Sequence, residues 1–328
     1  MNHGTFQLGD LALSAGGTLR NAQLGWRTHG TLNAARDNVV LYPTSYGAHA
    51  SELTWLIAPD GILDPSRYFI IQPEMFGNGV SSAPSNTPEW PELVTSWDNV
   101  HAQRRLLTEV FGIEKLHAVY GWSMGAQQAY HWAAAYPDAV ARVVINCGSA
   151  RTAVHNQIFL SSLIAVLEAA PEYLGNGQFS AKPEKAMRAF GRIYATMALS
   201  QDFYRANLHL TALGAPDLPT FLRTDWEERF GRRYAGDLLA QLRTWYAGDI
   251  AAGGDLPTAL AAIQAKVLLM PGETDLYFRV ADNEAELPHL KHAILRPIPS
   301  IWGHRAGNPA VQPADAAFIR TQVAEFFR

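Results

Sequence analysis

The stretch His117 to Ala126, reading His-Ala-Val-Tyr-Gly-Trp-Ser-Met-Gly-Ala, limits what this chain can fold into more than any other. Its Gly121-Trp122-Ser123-Met124-Gly125 core fits G-x-S-x-G, a serine on a sharp turn between a strand and a helix. Such a turn forces strained angles on the serine and brings strand and helix too close for side chains at the flanking positions, where glycine has no Cβ to clash. So short a pattern gains meaning only from its context. An apolar run (Ala118, Val119, Tyr120) precedes it, and a segment from Gln127 to Tyr136, rich in helix formers and stopped by Pro137, comes after it.

The same strand and helix texture extends on both sides. Thr18 to Thr28 alternates as a strand does, and Val39-Val40-Leu41-Tyr42, ended by Pro43, reads as a buried parallel strand feeding the loop Thr44 to His49. Tyr68 to Ile71 and Arg142 to Cys147 are further buried strands. Between them, Met75 to Pro88 is a loop by its Gly, Asn, Ser and Pro content, either a wall of a site or plain connection. A helix is expected from the caps Thr95-Ser96, with Val100, Gln103, Leu107, Val110 and Phe111 on one face and Gly112 at its end. From about Ala150 to Asp255 the texture turns helical (Gln157 to Ala170, Pro183 to Leu199, Trp226 to Tyr246), with no convincing strand. Strands return at Lys266 to Met270 and Ala293 to Leu295, and Ala314 to Phe327 closes as an amphipathic helix. The expected organisation is an α/β core over residues 1–150 and 256–328, with a helical cap inserted at 151–255.

Composition removes several classes of function. With 48% hydrophobic and 17% charged residues the chain is globular, and a net charge of -4 without lysine or arginine runs argues against nucleic acid as a partner. No stretch reaches the roughly 18 apolar residues of a membrane helix, and with Met1 to Asp10 polar and lacking an apolar core no signal peptide is expected. A small-molecule substrate and a cytoplasmic location are expected. The lone Cys147 reads as a core residue.

A serine hydroxyl needs a base, and the base an orienting acid. After a G-x-S-x-G turn the acid is expected beyond a late strand and the histidine near the C-terminus. Asp275, in the turn after Met270, and His304, in Trp302-Gly303-His304, meet both requirements. Glu273 is the alternative acid, although Asp275 stands further into the loop. Oxyanion donors are expected from the backbone N–H of Met124 and of Ser45 or Tyr46. His289 and His292 lack a third ligand at metal spacing, so neither a metal nor a cofactor is expected. His49 borders the oxyanion loop, with its role open. Tyr46, Trp55, Trp122, Tyr277, Phe278 and Trp302 make either a confined apolar pocket or plain core.

Taken together, these residues resemble the homoserine O-acetyltransferase branch of the α/β-hydrolase superfamily. The likeness runs through Gly77-Asn78-Gly79-Val80-Ser81-Ser82, Gly121 to Ala126, Tyr136-Pro137-Asp138, Gly191-Arg192, Asp275 and Gly303-His304. It implies an eight-stranded, mostly parallel sheet flanked by helices, a cap through which two copies often dimerise, and an acyl-serine intermediate. The departures bear on the acceptor. Where transferases of the branch carry an aspartate after the histidine, this chain has Arg305, which would repel an ammonium group. Arg192 matches the arginine that reads the substrate carboxylate, but the tyrosine seven residues on is Leu199. The cap's Asp-Ala-Asn-Ser-Tyr-Leu segment is replaced by Tyr234 to Leu239, and Trp122 stands where a glycine precedes the serine. Amino-acid recognition is dismantled while the acyl-enzyme residues stay. The resemblance therefore implies an esterase for simple carboxylic esters, with acyl transfer from a CoA thioester to an alcohol other than homoserine as the alternative and a non-catalytic binding protein as the more distant one. Ester pocket residues are expected at Trp122, Arg192, Leu199, Tyr277, Trp302 and Arg305.

Overall fold

A computed structural model describes residues 1–309 and 312–328 of the chain. Eight strands build one sheet: β1 (Asn2–Ala12), β2 (Thr18–His29), β3 (Val39–Leu41), β4 (Phe69–Pro73), β5 (Ala118–Trp122), β6 (Arg142–Asn146), β7 (Lys266–Met270) and β8 (Ala293–Leu295). Their order across the sheet is β1-β2-β4-β3-β5-β6-β7-β8. Only β2 runs against its neighbours, pairing antiparallel with β1 and β4, and every other pair is parallel. The helices that position the site are α1 (Ser96–Arg105), α2 (Met124–Ala135), α3 (Val154–Glu168), α4 (Glu184–Ala198), α5 (Ala235–Tyr246), α6 (Val280–Glu286) and α7 (Pro313–Phe326).

The central strands are apolar throughout because both faces are covered. Val119, Val143, Ile145, Val267 and Leu269 point to one side and pack with Leu107, Trp132 and Ile263. Their neighbours Ala118, Tyr120, Val144, Leu268 and Met270 point to the other, where Ile319, Val323 and Phe327 cover them. Each such fully buried aliphatic side chain contributes roughly 1.5–3 kcal/mol. Along the sheet, the chain leaves β3 toward β4 on one side and resumes with β5 on the other. At that reversal the loops after β3 and β5 diverge and leave a crevice at the strands' C-terminal ends.

Strand β1 was not foreseen. It is an edge strand with only Leu8 buried, and its alternation is short, Phe6 and Leu8, before register shifts around Gly9 break it. The helix expected through Val110 does begin at the Thr95 cap, but its last turn, Leu106–Val110, is a π-turn. The extra residue in that turn rotates the end of the helix, leaving Leu107 buried and Val110 in solvent. In the cap, α3 and α4 lie close to the expected spans, while the stretch Trp226 to Tyr246 is not one helix. It breaks at the extended Tyr234, and α5 begins at Ala235. A small hairpin, Tyr173–Gly175 with Gln178–Phe179, is the strand the cap was not expected to hold. The hairpin packs on the start of α5: a Cβ on Gly236 would lie 1.9 Å from the Gly177 carbonyl oxygen, and Phe179 N–H donates to the Tyr234 hydroxyl at 3.3 Å. Among the described residues no helix is long and apolar enough to cross a membrane.

Candidate active site

Ser123 sits between the end of β5 and the start of α2 at φ 59°, ψ -129°, a conformation a non-glycine residue holds only under constraint. The glycines around it are required by distance. A Cβ on Gly121 would lie 2.2 Å from the Gly125 carbonyl oxygen, and one on Gly125 would lie 2.8 Å from that of Pro43. The turn therefore stacks strand, helix and the β3 loop backbone against backbone. Met124 opens α2, so its N–H is one of those a helix N-terminus leaves without an intrahelical partner.

His304 and Asp275 arrive from the loops after β8 and β7. The Nε2 of His304 lies 2.8 Å from the Ser123 hydroxyl, and its Nδ1 lies 2.7 Å from Asp275 Oδ2. The other carboxylate oxygen of Asp275 accepts from the backbone N–H of Tyr277 and Phe278, at 2.8 and 3.2 Å. All three residues are buried. Glu273 is exposed and turned away, which separates the two candidate acids. The imidazole is wedged among rings: Trp122 stacks on it at 5.2 Å and 22°, and Tyr277 meets it edge-on at 4.9 Å. Gly303 beside it is required not by the imidazole but by the cap. A Cβ there would collide with the cap, 2.8 Å from the Ser200 nitrogen and 3.0 Å from Leu199 Cα.

The loop after β3 is held from two directions. The Ser45 hydroxyl donates to the Trp122 carbonyl, tying the loop to the serine turn. From the cap, Gln241 Oε1 accepts from Gly47 N–H at 2.7 Å and Arg233 Nε donates to Gly47 O at 2.8 Å. Arg233 also pairs with Glu52, whose carboxylate accepts from His49 N–H. Beneath the loop, Glu74 accepts from Ala50 N–H and Asn78 Nδ2, and burial raises its carboxyl above the usual range. His49 faces Asn78 O at 2.9 Å and is part of this scaffold.

A cavity of 370 Å³ opens on Ser123 and His304, with Ser45, Tyr46, Trp122 and Arg305 in its wall. The other residues expected there lie elsewhere. Arg192 points into solvent and pairs with Glu227 at 2.6 Å, because it sits on the outward face of α4, opposite Tyr194 and Ala198. Leu199 is buried where the cap meets Gly303, Tyr277 is core beneath His304, and Trp302 packs edge-on to Phe203 at 4.8 Å. Trp55 joins the core beneath the sheet, while His289 and His292 are exposed. In place of the missing residues the cap contributes Tyr194, Asp225, Trp226, Arg229, Phe230 and Arg232. Arg229, Phe230 and Arg232 lie in the charged run Glu227 to Arg233, which reads equally as a solvated helix face, and Tyr194, Asp225 and Trp226 lie outside it. Among the described residues, one grouping has the side chains of a metal site: Cys147, Asp275 and His304. Burial pushes the Cys147 thiol up, so it stays protonated, and Asp275 and His304 already bind each other.

Known proteins resemble this chain in sequence and fold. The family model described as the alpha/beta hydrolase fold matches residues 42–297. An ethyl acetate hydrolase of Pseudomonas veronii is 36% identical, over 92% of this chain and 90% of that protein. The crystal structure of an acetylester hydrolase from Corynebacterium glutamicum superposes with a TM-score of 0.94 at 34% identity, covering 99% of this chain and 96% of that one. A homoserine O-acetyltransferase from Bacillus anthracis is more distant, with a TM-score of 0.84 and 25% identity over 100% and 97% of the two chains. The chain belongs to the α/β-hydrolase family, within the branch that holds acetyl ester hydrolases and homoserine O-acyltransferases.

Proposed function

We propose that this protein is a serine carboxylesterase that hydrolyses short-chain, acetate-type esters through an acyl-serine intermediate. The observation that carries the reading is the continuous hydrogen-bonded chain from Ser123 through His304 to Asp275, opening on a cavity of small-ester size. The similarity to an ethyl acetate hydrolase and an acetylester hydrolase supports the acyl length.

In this mechanism Ser123 Oγ attacks the ester carbonyl while His304 Nε2 takes its proton. Asp275 holds the other ring nitrogen and stabilises the imidazolium that forms. The oxyanion is met by the N–H of Met124 and of Ser45 or Tyr46, donors already fixed by the start of α2 and by the cap's grip on the β3 loop. His304 protonates the departing alcohol and then activates water to release the acid. We also propose a homodimer formed through the cap, where Val154 and Ile158, one turn apart on α3, are 72% and 60% exposed. Sedimentation of the wild type beside Ile158→Glu tests it: a monomeric wild type removes it.

Ser123→Ala should reduce hydrolysis of p-nitrophenyl acetate on the order of 10⁴-fold with the far-UV circular dichroism unchanged. A variant that kept the wild-type rate would remove Ser123 from the chemistry. The alternative, acyl transfer from CoA, is separated by the acceptor: acetyl-CoA consumed much faster with one alcohol than with water alone would replace hydrolysis with transfer.

A further inference from the structure

The walls around Ser123 carry more positive charge than the hydrolytic chemistry uses. Four arginines line the cavity: Arg229, Arg232, Arg233 and Arg305. Arg233 is neutralised by Glu52, also in the wall. Among the described residues no carboxylate lies within ion-pair distance of the other three. The one further acid in the wall, Asp225, accepts from the Thr224 hydroxyl at 3.0 Å. Three unpaired guanidinium groups thus share a small cavity with one carboxylate.

Their placement differs. Arg229 and Arg232 are exposed at the cap side of the mouth, while Arg305 is largely withdrawn from solvent, next in sequence to His304. Its guanidinium carbon stands 5.0 Å from the centre of the Trp226 ring, which fixes the side chain by cation–π contact but supplies no negative charge. Burial, and then the charge of Arg229, lower its pKa to about 10, which still leaves it a cation at neutral pH. Asp225 opposes that lowering, but from beyond ion-pair distance, so this partly desolvated cation is incompletely neutralised, and a ligand that brings a carboxylate satisfies it with paired, charge-assisted hydrogen bonds.

We propose that the cavity selects esters carrying a carboxylate at the end remote from the scissile bond, and that Arg305 is the residue that recognises it. This rests on the esterase reading. The carboxylate belongs either to the alcohol half, as in the acetate of a hydroxy acid, or to the acyl half, as in the half-ester of a dicarboxylic acid. In the first case the Ser123 Oγ–acyl bond forms as the bond to the hydroxy acid's oxygen breaks and His304 protonates that oxygen; water then frees acetate from the serine.

The test compares kcat/KM for 3-acetoxypropanoate with that for its methyl ester, and for monoethyl succinate with that for diethyl succinate, in the wild type, Arg305→Gln and Arg305→Lys. The wild type should favour the charged member of at least one pair by about tenfold or more, the range of a charge-assisted hydrogen bond, and the pair that responds identifies the half. That ratio should fall to about one in Arg305→Gln and survive in part in Arg305→Lys. Should Arg305→Gln not fold, Arg229→Gln at the exposed mouth should lower the same ratio by a smaller factor. Equal or greater turnover of the neutral member in both pairs, or a ratio unchanged by Arg305→Gln, overturns the proposal. Neutral esters separate the two possible failures: their hydrolysis without preference for charge removes the selectivity alone, and no turnover of any ester removes the esterase reading with it.

Discussion

The sheet side and the cap side of this cavity are built on different principles. Around Ser123 the geometry is set by backbone: a serine held at positive φ, glycines whose missing Cβ atoms let strand, helix and β3 loop touch, and an aspartate fixed by two backbone N–H groups. Across the cavity the cap presents side chains instead, an aromatic cluster around Tyr194, Trp226 and Phe230 edged with arginines. Backbone contacts tolerate almost no substitution, whereas side chains on a helix can be exchanged one at a time. That division lets one hydrolytic arrangement serve different substrates; this chain departs from the transferase pattern in the cap at Leu199 and Tyr234 to Leu239, and on the sheet side at Trp122 and Arg305.

The two regions meet at Gly303. Gly303 touches cap backbone while its neighbour His304 reaches Ser123, so Gly303→Ala adds a clash at Ser200 and the cost of Ala at φ 58°. We expect a loss of more than about 3 kcal/mol, taking the clash and the left-handed backbone together, and at least roughly 100-fold in kcat from displacement of the histidine. Thermal unfolding and ester kinetics measure both. Wild-type behaviour would show that the cap merely rests on the core.

A smaller effect comes from the core alone. Glu286, on α6, is buried and accepts from Ala150 N–H and the Tyr130 hydroxyl, both at 2.7 Å. Burial raises its pKa from 4.5 to about 7. The folded protein therefore holds this proton more tightly than the unfolded chain does, so stability should decline as pH rises from about 4.5 to 7, by up to about 3 kcal/mol. In Glu286→Gln that slope should flatten, measured by urea unfolding at pH 5 and pH 8. Asp237, on α5 against Ser85, is raised from 3.8 to about 6 in the same sense, so part of the decline should remain below pH 6. A slope identical in wild type and variant would mean that Glu286 is not the titrating group.

The mildest test concerns the cap's hold on the β3 loop. Removing Arg233 with Arg233→Ala frees Gly47 O and Glu52, while Gln241 still holds Gly47 N–H. The expected result is a drop in kcat of roughly tenfold, about 1.4 kcal/mol of transition-state stabilisation, with KM for p-nitrophenyl acetate little changed. A change confined to KM would make Arg233 a substrate contact rather than a positioning residue.

Much of this was legible in the sequence because it rests on local rules. The apolar runs of β3 to β7, the Thr95 cap and the glycines beside Ser123 each state their structure within a few residues. The positions of Asp275 and His304 are set by chain order and the strands that precede them. Three kinds of feature were hidden. Strand β1 owes its existence to hydrogen bonds with β2, and its alternation at Phe6 and Leu8 is too short, cut by the register shifts around Gly9, to stand out. The direction of Arg192 depends on which face of α4 meets the core, which a motif match does not specify. The role of the run Glu227 to Arg233 depends on a break between the helix that ends at Gly231 and α5, whose first turn packs on a hairpin distant in sequence.

The sequence by itself determined the chemistry available to this protein: a serine at a strained turn, an acid and a histidine in the order that turn requires, and a sheet apolar enough to bury them. Only the tertiary structure decided what surrounds that serine. Residues more than 100 positions apart, such as Ser123 with Arg229 and Gly47 with Arg233, meet through packing of the cap on the core. A side chain's choice between solvent and cavity is made by that packing, because the cost of burying it, and of burying its charge, is offset by neighbours distant in the chain.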